Sequence, residues 1–175
     1  MKVIDDFISP SDYEQLREYC MGTAIRWKFN SHKVQPGDGQ EQFTFLFFEN
    51  KRFATFNKPE LELIDPIFAR LNPDVLMKVK ANLTTRTEKP LLSMYHRDTK
   101  HPNKTAVYYI NTNNGYTQFK TGDKVESVAN RMLIFDAQEL HAGATCSDEQ
   151  VRVIINFNYF PIPEGWDPTM LSERF

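Results

Sequence analysis

The chain has 175 residues, of which 41% are apolar and 13% aromatic, and this composition is typical of one globular domain with a sizeable core. The net charge of −2 is too small to indicate binding to nucleic acid or to a charged membrane surface. With two cysteines, no long apolar run and no signal-peptide pattern, the chain is expected to be a cytoplasmic protein without a disulfide framework or a membrane span.

The N-terminal region of the chain predicts two helical segments separated by a loop and a strand. Ser9 is a favourable N-cap for the first helix, which would begin with a proline. The second segment, 59–71, is interrupted by Pro66, which predicts a kink or two short helical turns. Between the two, the glycine-containing stretch 34–42 predicts a mobile loop, and the apolar stretch 43–50 predicts a buried strand.

From residue 75 onward the sequence predicts about eight short strands, separated by turn sequences rich in Asn, Gly and Asp. These strands are expected at 75–83, 91–96, 105–111, 116–120, 124–128, 131–136, 140–145 and 151–160. Short strands at such regular spacing are typical of an all-β sandwich or barrel. The N-terminal helices would then pack on the outside of one sheet.

A histidine and an aspartate, His96 and Asp98, are separated by one residue near the end of a predicted strand. Because side chains alternate along a strand, the two would leave the chain on the same face. His141 follows a later apolar strand. Two histidines and a carboxylate can bind iron(II) on one face of an octahedron and leave positions open for a substrate and dioxygen. Zinc accepts the same ligands, so the ligands alone do not select the metal.

The last predicted strand, 151–160, has one apolar face, whereas its other face carries Arg152 together with Asn156 and Asn158. A buried arginine is unfavourable unless it is paired, and its planar guanidinium matches a carboxylate. Arg152 at one end of a site and a metal at the other would fit a small dicarboxylate that chelates the metal through its keto-acid end.

The order His-x-Asp, His and Arg resembles that of the 2-oxoglutarate- and iron(II)-dependent dioxygenases, in particular their prolyl 4-hydroxylase-like branch. The resemblance covers residues 75–160 and includes the strand TAVYYIN, the stretch NGYTQF and the segment NRMLIFD that leads to His141. The pattern also resembles short dioxygenases from marine bacteriophages, which would place the protein in the cytoplasm of an infected host.

The resemblance implies a mainly β fold, a double-stranded β-helix or jelly roll with N-terminal helices packed on one sheet. It implies a single dioxygenase domain over 1–175. This domain would have a helical N-terminal region at about 1–73, a jelly-roll core at about 74–160 and a C-terminal tail at 161–175.

The resemblance also implies roles for individual residues. The expected iron(II) ligands are His96, Asp98 and His141. The expected contacts of the cosubstrate 2-oxoglutarate are Arg152 at its distal carboxylate, Tyr109 and Asn82. The implied reaction is the hydroxylation of a C–H bond by dioxygen, with release of succinate and CO2. The substrate class, a protein, a peptide or a small molecule, stays open, and peptidyl proline is the one that the branch suggests.

Two other classes of function and one feature of the N-terminal region also stay open. A non-catalytic jelly-roll binding module would not need all four of these site residues, and a zinc-dependent hydrolase would need a general base beside its metal. The loop 34–42 is either a lid over the metal site, which would exclude water during reaction, or a surface loop far from it.

Overall fold

The computed structural model describes residues 1–49, 52–53, 58–99, 101 and 103–163. Within these ranges the helices are α1 (Pro10–Met21), α2 (Lys58–Glu62) and α3 (Asp65–Leu71). The strands are β1 (Lys2–Ile4), β2 (Lys28–Asn30), β3 (Gln42–Glu49), β4 (Arg52–Phe53), β5 (Pro73–Thr85), β6 (Lys104–Tyr109), β7 (Asn113–Phe119), β8 (Lys124–Ser127), β9 (Arg131–Asp136), β10 (His141–Gly143) and β11 (Val151–Pro161).

The helices lie where the sequence predicts them. Ser9 is the N-cap of α1, and its hydroxyl accepts a hydrogen bond from the backbone N–H of Asp12 at 3.2 Å. The predicted segment 59–71 forms two short helices, and Pro66 lies in the first turn of the second one. Proline is tolerated there because a first-turn N–H has no partner within the helix.

The strands form two antiparallel sheets. The larger has eight strands in the order β1-β9-β6-β11-β5-β3-β2, with β4 paired to β3. The smaller has three strands in the order β10-β7-β8. An apolar cluster contains buried side chains from both sheets, including Val107 of β6 and Phe119 of β7, so the two sheets face each other. The predicted mainly β fold with a jelly-roll core is confirmed.

The outer face of the larger sheet carries the helices. Val153, Ile155 and Phe157 of β11 belong to the same buried cluster as side chains of α1 and α3. Phe68 of α3 meets Phe157 edge to face, with ring centroids 5.9 Å apart. The other face of β11, which carries Arg152, therefore points between the sheets, as its alternation predicts.

Two features differ from the sequence predictions. Residues 1–73 contain more strand than predicted, because β1, β2 and β4 join the predicted strand 43–50, which forms β3, in the larger sheet. β1 and β2 have three residues each, which are too few for an alternating pattern to be recognised in the sequence.

No helix in the described ranges is long and apolar enough to cross a bilayer. Of the expected tail, 164–175 lie outside the described residues.

The second difference is that 91–96 forms no strand. It makes only isolated bridges to the smaller sheet, Leu92 with Ala144 and His96 with His141. Leu92 and His96 are four residues apart, whereas their partners Ala144 and His141 are three apart. The segment 92–96 therefore has one extra residue between the two bridges. Such an insertion interrupts the ladder and bends the chain, as in a β-bulge.

Candidate metal and anion site

Three candidate metal ligands converge at one end of the space between the sheets. Nε2 of His96 lies 3.5 Å from Oδ1 of Asp98, and Nε2 of His141 lies 3.7 Å from the same oxygen. Ligand atoms of all three residues lie within 4.8 Å of one another. Two atoms that each bind one ion at about 2.1 Å are at most about 4.2 Å apart, so the two distances to Asp98 fit a shared ion.

Both histidines are held in the same tautomer. Nδ1 of His96 lies 3.2 Å from the carbonyl oxygen of Met94, and Nδ1 of His141 lies 3.0 Å from that of Glu139. A carbonyl accepts only, so each Nδ1 carries a proton and donates it. In the neutral imidazole the lone pair is then on Nε2, and the Nε2 atoms of both rings face the Asp98 carboxylate. Such outer hydrogen bonds are typical of histidines that bind metals.

The Asp98 carboxylate is oriented in the same way. Its Oδ2 accepts hydrogen bonds from the hydroxyl of Thr105 at 2.9 Å and from the amide of Asn158 at 3.1 Å, which leaves Oδ1 for the histidines. The Asp98 side chain is 10% exposed. Burial raises the pKa of Asp98, but its interactions with His96 and His141 outweigh this effect and hold the pKa below its usual range.

His141 is the more enclosed of the two histidines. It is 4% exposed, and its ring centroid lies 4.7 Å from that of Phe135 and 6.3 Å from that of Phe119. Burial lowers the pKa of His141, an effect that the charge of Asp98 partly opposes. A lowered pKa favours the neutral imidazole, which is the form that binds a metal.

The chain brings His96 and Asp98 together by a route that differs from the expected one. Residues 97–99 lie outside any strand, so the period of two does not apply to this pair. His96 is held instead by its bridge to His141, and Asp98 by its hydrogen bonds to the larger sheet.

Arg152 lies in the same cleft and is 3% exposed. Its Nε donates to the hydroxyl of Ser127 at 2.7 Å and its Nη2 to that of Thr117 at 3.3 Å. Among the described residues no carboxylate forms an ion pair with it, and burial lowers the pKa of Arg152. A buried cation with only hydroxyl partners is unfavourable unless an anion binds beside it.

Gly115 makes room for this arginine. A Cβ at position 115 would lie 2.5 Å from Cδ of Arg152 and 2.7 Å from the side-chain oxygen of Asn113. These separations are shorter than van der Waals contact, so the stretch NGYTQF needs glycine at this position.

Tyr109 and Asn82, the other two predicted cosubstrate residues, lie at different depths. Tyr109 is fully buried behind Arg152, whose guanidinium carbon is 5.6 Å from its ring centroid, and its hydroxyl donates to Thr117 at 2.9 Å. Asn82 lines the cleft, and its amide donates to the carbonyl of Lys80 at 3.2 Å. Direct contact of Tyr109 with a cosubstrate stays a prediction.

Lys33, Lys80 and Thr84 are among the cleft residues that the sequence does not assign to the site. The side-chain alternation of β5 could have identified Lys80 and Thr84, because they lie on the same face of the strand as Asn82. The hydroxyl oxygen of Thr84 and the side-chain oxygen of Asn156 are buried in the cleft without a hydrogen-bond partner among the described residues. Unpartnered buried polar atoms in a cleft indicate a polar ligand.

The metal ligands and the arginine occupy successive levels of the cleft. In the pairing of β10 with β7, His141 lies opposite Phe119 and Gly143 lies opposite Thr117. Two residues along a strand correspond to about 7 Å. Because Arg152 donates to Thr117, its guanidinium lies about this far from the level of His141. A five-carbon dicarboxylate is about as long as this separation, so one such molecule could reach from the metal ligands to Arg152.

No protein-family profile matches the sequence. No curated protein matches it either. Solved structures do match. The Trichoplax adhaerens prolyl hydroxylase in complex with a hypoxia inducible factor oxygen degradation domain peptide fragment is 14% identical with a TM-score of 0.57, over 91% of this chain and 83% of that chain. A Burkholderia pseudomallei oxidoreductase of the 2OG-Fe(II) oxygenase family is 8% identical with a TM-score of 0.60, over 86% and 78%. HygX from Streptomyces hygroscopicus, with nickel and 2-oxoglutarate bound, is 14% identical with a TM-score of 0.56, over 91% and 82%.

The chain therefore has the fold of the 2-oxoglutarate- and iron(II)-dependent oxygenases, and its candidate ligands converge within that fold. Prolyl hydroxylases are among the proteins that share it, as the order of motifs predicts. With identities of 14% or lower, the likeness concerns the fold alone.

Proposed function

We propose that the protein is an iron(II)- and 2-oxoglutarate-dependent dioxygenase that hydroxylates a C–H bond of a second substrate. The observation that carries the proposal is the convergence of two histidine Nε2 atoms and one carboxylate oxygen in a cleft that also contains a buried arginine without a counterion among the described residues. The first feature provides three ligands for a metal, and the second provides a partner for an anion.

In this proposal His96, Asp98 and His141 hold iron(II), and Arg152 binds the distal carboxylate of 2-oxoglutarate. Iron bound there would supply the activation of dioxygen, while 2-oxoglutarate is oxidised and decarboxylated to succinate and CO2. The protein orients the cosubstrate between the two levels of the cleft. Apolar lining residues, Val107 and Ile154, exclude water from the reacting end.

The charges of the cleft favour this cosubstrate. Its lining carries the cations Lys33, Lys80 and Arg152, whereas Asp98 supplies the only carboxylate among the described lining residues. A divalent metal adds further positive charge, so a dianion such as 2-oxoglutarate suits the site. Because Asp98 is assigned to the metal, no second carboxylate among the described lining residues remains as the general base of a zinc hydrolase.

For the second substrate we propose a prolyl residue in a peptide as the first to be tested. Prolyl hydroxylases are among the structures that share the fold, and one of them is in complex with a peptide. The shared fold supports this choice of substrate, and the peptide sequence is left to the screen. Mass-spectrometric screening of proline-containing peptides with the iron-loaded protein would find a product heavier by one oxygen atom if the assignment is right.

The cosubstrate assignment is tested by titrating 2-oxoglutarate anaerobically into nickel-loaded protein and measuring Kd by calorimetry. Arg152→Met should raise Kd at least about 30-fold, since breaking a buried charge pair costs about 2–5 kcal/mol. The affinity of Arg152→Met for nickel should stay unchanged. Zinc binding without any affinity for 2-oxoglutarate in the unmodified protein would favour the hydrolase, and the lack of both would favour a binding module.

A further inference from the structure

Lys33 lies immediately before the glycine-containing loop, and its ammonium reaches the cleft. Nζ of Lys33 donates to the carbonyl oxygen of Gly143 at 2.8 Å, across 110 residues of sequence. Burial and the charge of Arg152 lower the pKa of Lys33 to about 7, and Asp38 partly opposes this shift. Lys33 is therefore partly buried against the cleft and not fully solvated.

Lys33 and Arg152 face the same point in the cleft. A Cβ built on Gly143 would lie 3.5 Å from Nζ of Lys33 and 3.5 Å from Nη1 of Arg152. No carboxylate among the described residues forms an ion pair with either cation. Two like charges that face one point in a partly buried cleft repel each other, and an anion between them would remove that repulsion.

We propose that Lys33 is a second cationic ligand of the distal carboxylate of 2-oxoglutarate and that this contact couples the segment 33–42 to the cosubstrate. The inference rests on the proposed function, since it assigns Lys33 to the cosubstrate named there. Gly143 marks the level of Arg152 rather than that of the metal ligands, so Lys33 faces the distal carboxylate and not the keto-acid end.

Hydrogen bonds to the Asp38 carboxylate fix the backbone of Lys33 relative to the rest of the segment 33–42. Oδ2 of Asp38 accepts hydrogen bonds from the backbone N–H groups of Lys33 at 3.0 Å, Val34 at 2.7 Å and Gln35 at 3.3 Å. Oδ1 of the same carboxylate accepts one from the N–H of Gln40 at 3.0 Å. The carboxylate thus holds the loop as one unit, and an anion that binds Lys33 restrains all of it.

A second pair of contacts joins this unit to the walls of the cleft. The side-chain amide of Gln42 donates to the carbonyl of Lys33 at 3.1 Å, and that of Gln40 donates to the carbonyl of Leu92 at 3.2 Å. Leu92 belongs to the segment that carries His96. The loop therefore lies at the site and not at the far end of the fold. The lid hypothesis requires this position.

The test compares two keto acids on nickel-loaded protein under anaerobic conditions. 2-Oxoglutarate has the distal carboxylate, and 2-oxobutanoate lacks it. In Lys33→Met we expect Kd for 2-oxoglutarate to rise about ten-fold or more and Kd for 2-oxobutanoate to stay unchanged. The matched control is Lys28→Met on the exposed face of β2, which should bind both keto acids as the unmodified protein does.

The outcomes separate this inference from the proposed function. If the unmodified protein does not bind 2-oxoglutarate, the proposed function fails. If it binds 2-oxoglutarate and Lys33→Met binds it equally well, or loses both keto acids to the same extent, the inference is overturned. Lys33→Arg keeps the charge and should retain most of the affinity, which guards against a general effect of the substitution on folding.

Coupling to the loop has its own readout in hydrogen exchange. Adding 2-oxoglutarate to the nickel-loaded protein should slow exchange of the amides in 33–42. In Lys33→Met the same addition, at a concentration that saturates the variant, should leave these amides unchanged. Equal slowing in both proteins would show that the loop responds to the cosubstrate without Lys33 and would overturn the coupling.

Discussion

His96 and His141 exchange both of their backbone hydrogen bonds across an isolated antiparallel bridge. The N–H of His96 donates to the carbonyl of His141 at 2.9 Å, and the N–H of His141 donates back at 3.1 Å. Residues that exchange both bonds lie directly opposite each other, with their side chains on one face. Their ring centroids are 4.6 Å apart. The backbone thus sets the separation of the two candidate ligands.

Removing one histidine should therefore abolish metal binding without disturbing the sheet. We expect His141→Ala to lower the affinity for iron(II) by more than about 100-fold, because even the loss of outer hydrogen-bond partners typically costs about 10–100-fold. The metal content of anaerobically loaded protein, measured by mass spectrometry, checks this. His101→Ala, at an exposed loop histidine, is the control. Full iron occupancy in His141→Ala would rule out the assignment.

Asn158 should matter for metal binding although it is not a proposed ligand. Its amide donates to Oδ2 of Asp98 and to the hydroxyl of Thr105. Asn158→Leu has a similar volume but no donor, so it should lower iron affinity about 10–100-fold by freeing the Asp98 carboxylate. The same loading experiment measures the change. An unchanged affinity would show that Thr105 alone is sufficient to orient Asp98.

Gly115→Ala should destabilise the protein by forcing Arg152 to move. We expect a loss of about 1–3 kcal/mol in the free energy of unfolding, measured by urea denaturation, since overpacking a buried site has this effect. A double-mutant cycle isolates the cause. In the Arg152→Ala background, the same substitution at Gly115 should destabilise less. An equal loss in both backgrounds would place the conflict at Asn113 or at the backbone oxygen of Thr145 instead.

The affinity for 2-oxoglutarate should fall as the pH rises above 7. The pKa of Lys33 is lowered to about 7 in the ligand-free protein, so this amine loses its proton as the pH rises through that value. A bound carboxylate favours the charged amine, and binding at higher pH must therefore be accompanied by proton uptake. Calorimetry in buffers of different ionisation enthalpy measures this uptake. Lys33→Met should take up fewer protons above pH 7 than the unmodified protein does.

The same shift predicts the direction of the pH dependence of stability. Because the pKa of Lys33 is lower in the folded protein than its usual value, the unfolded chain binds more protons between these two values. The contribution of Lys33 to ligand-free stability should therefore improve as the pH rises from about 7 toward the usual pKa of lysine. A flat difference between the unmodified protein and Lys33→Met over this range would contradict the assigned pKa.

Some of the site could be predicted from the sequence because it follows a strict period. The alternation in β11 separates Val153 and Ile155 from Arg152 and Asn156, and the structure has these pairs on opposite faces. The same period in β5 places Lys80 and Thr84 on one face with Asn82. A polar face alone does not distinguish a cleft lining from a solvated surface, so the pairing of β5 with β11 was needed to place these two residues at the site.

The rest depends on contacts between distant segments. Lys33 meets Gly143 only after β3 has joined the larger sheet and β10 the smaller one, and no local pattern describes that meeting. His96 and Asp98 were predicted as strand neighbours, but a bulge-like insertion and hydrogen bonds from Thr105 and Asn158 position them instead. At this site, contacts between distant segments position the two side chains, and the alternation of side chains along a strand does not.

The most direct test is a crystal structure of the protein grown anaerobically with nickel and 2-oxoglutarate. The proposed function predicts nickel bound by Nε2 of His96, Oδ1 of Asp98 and Nε2 of His141. It also predicts the keto-acid end of 2-oxoglutarate on the metal and the distal carboxylate against Arg152. A metal bound elsewhere, or a cleft that stays free of 2-oxoglutarate at saturating concentration, would contradict it.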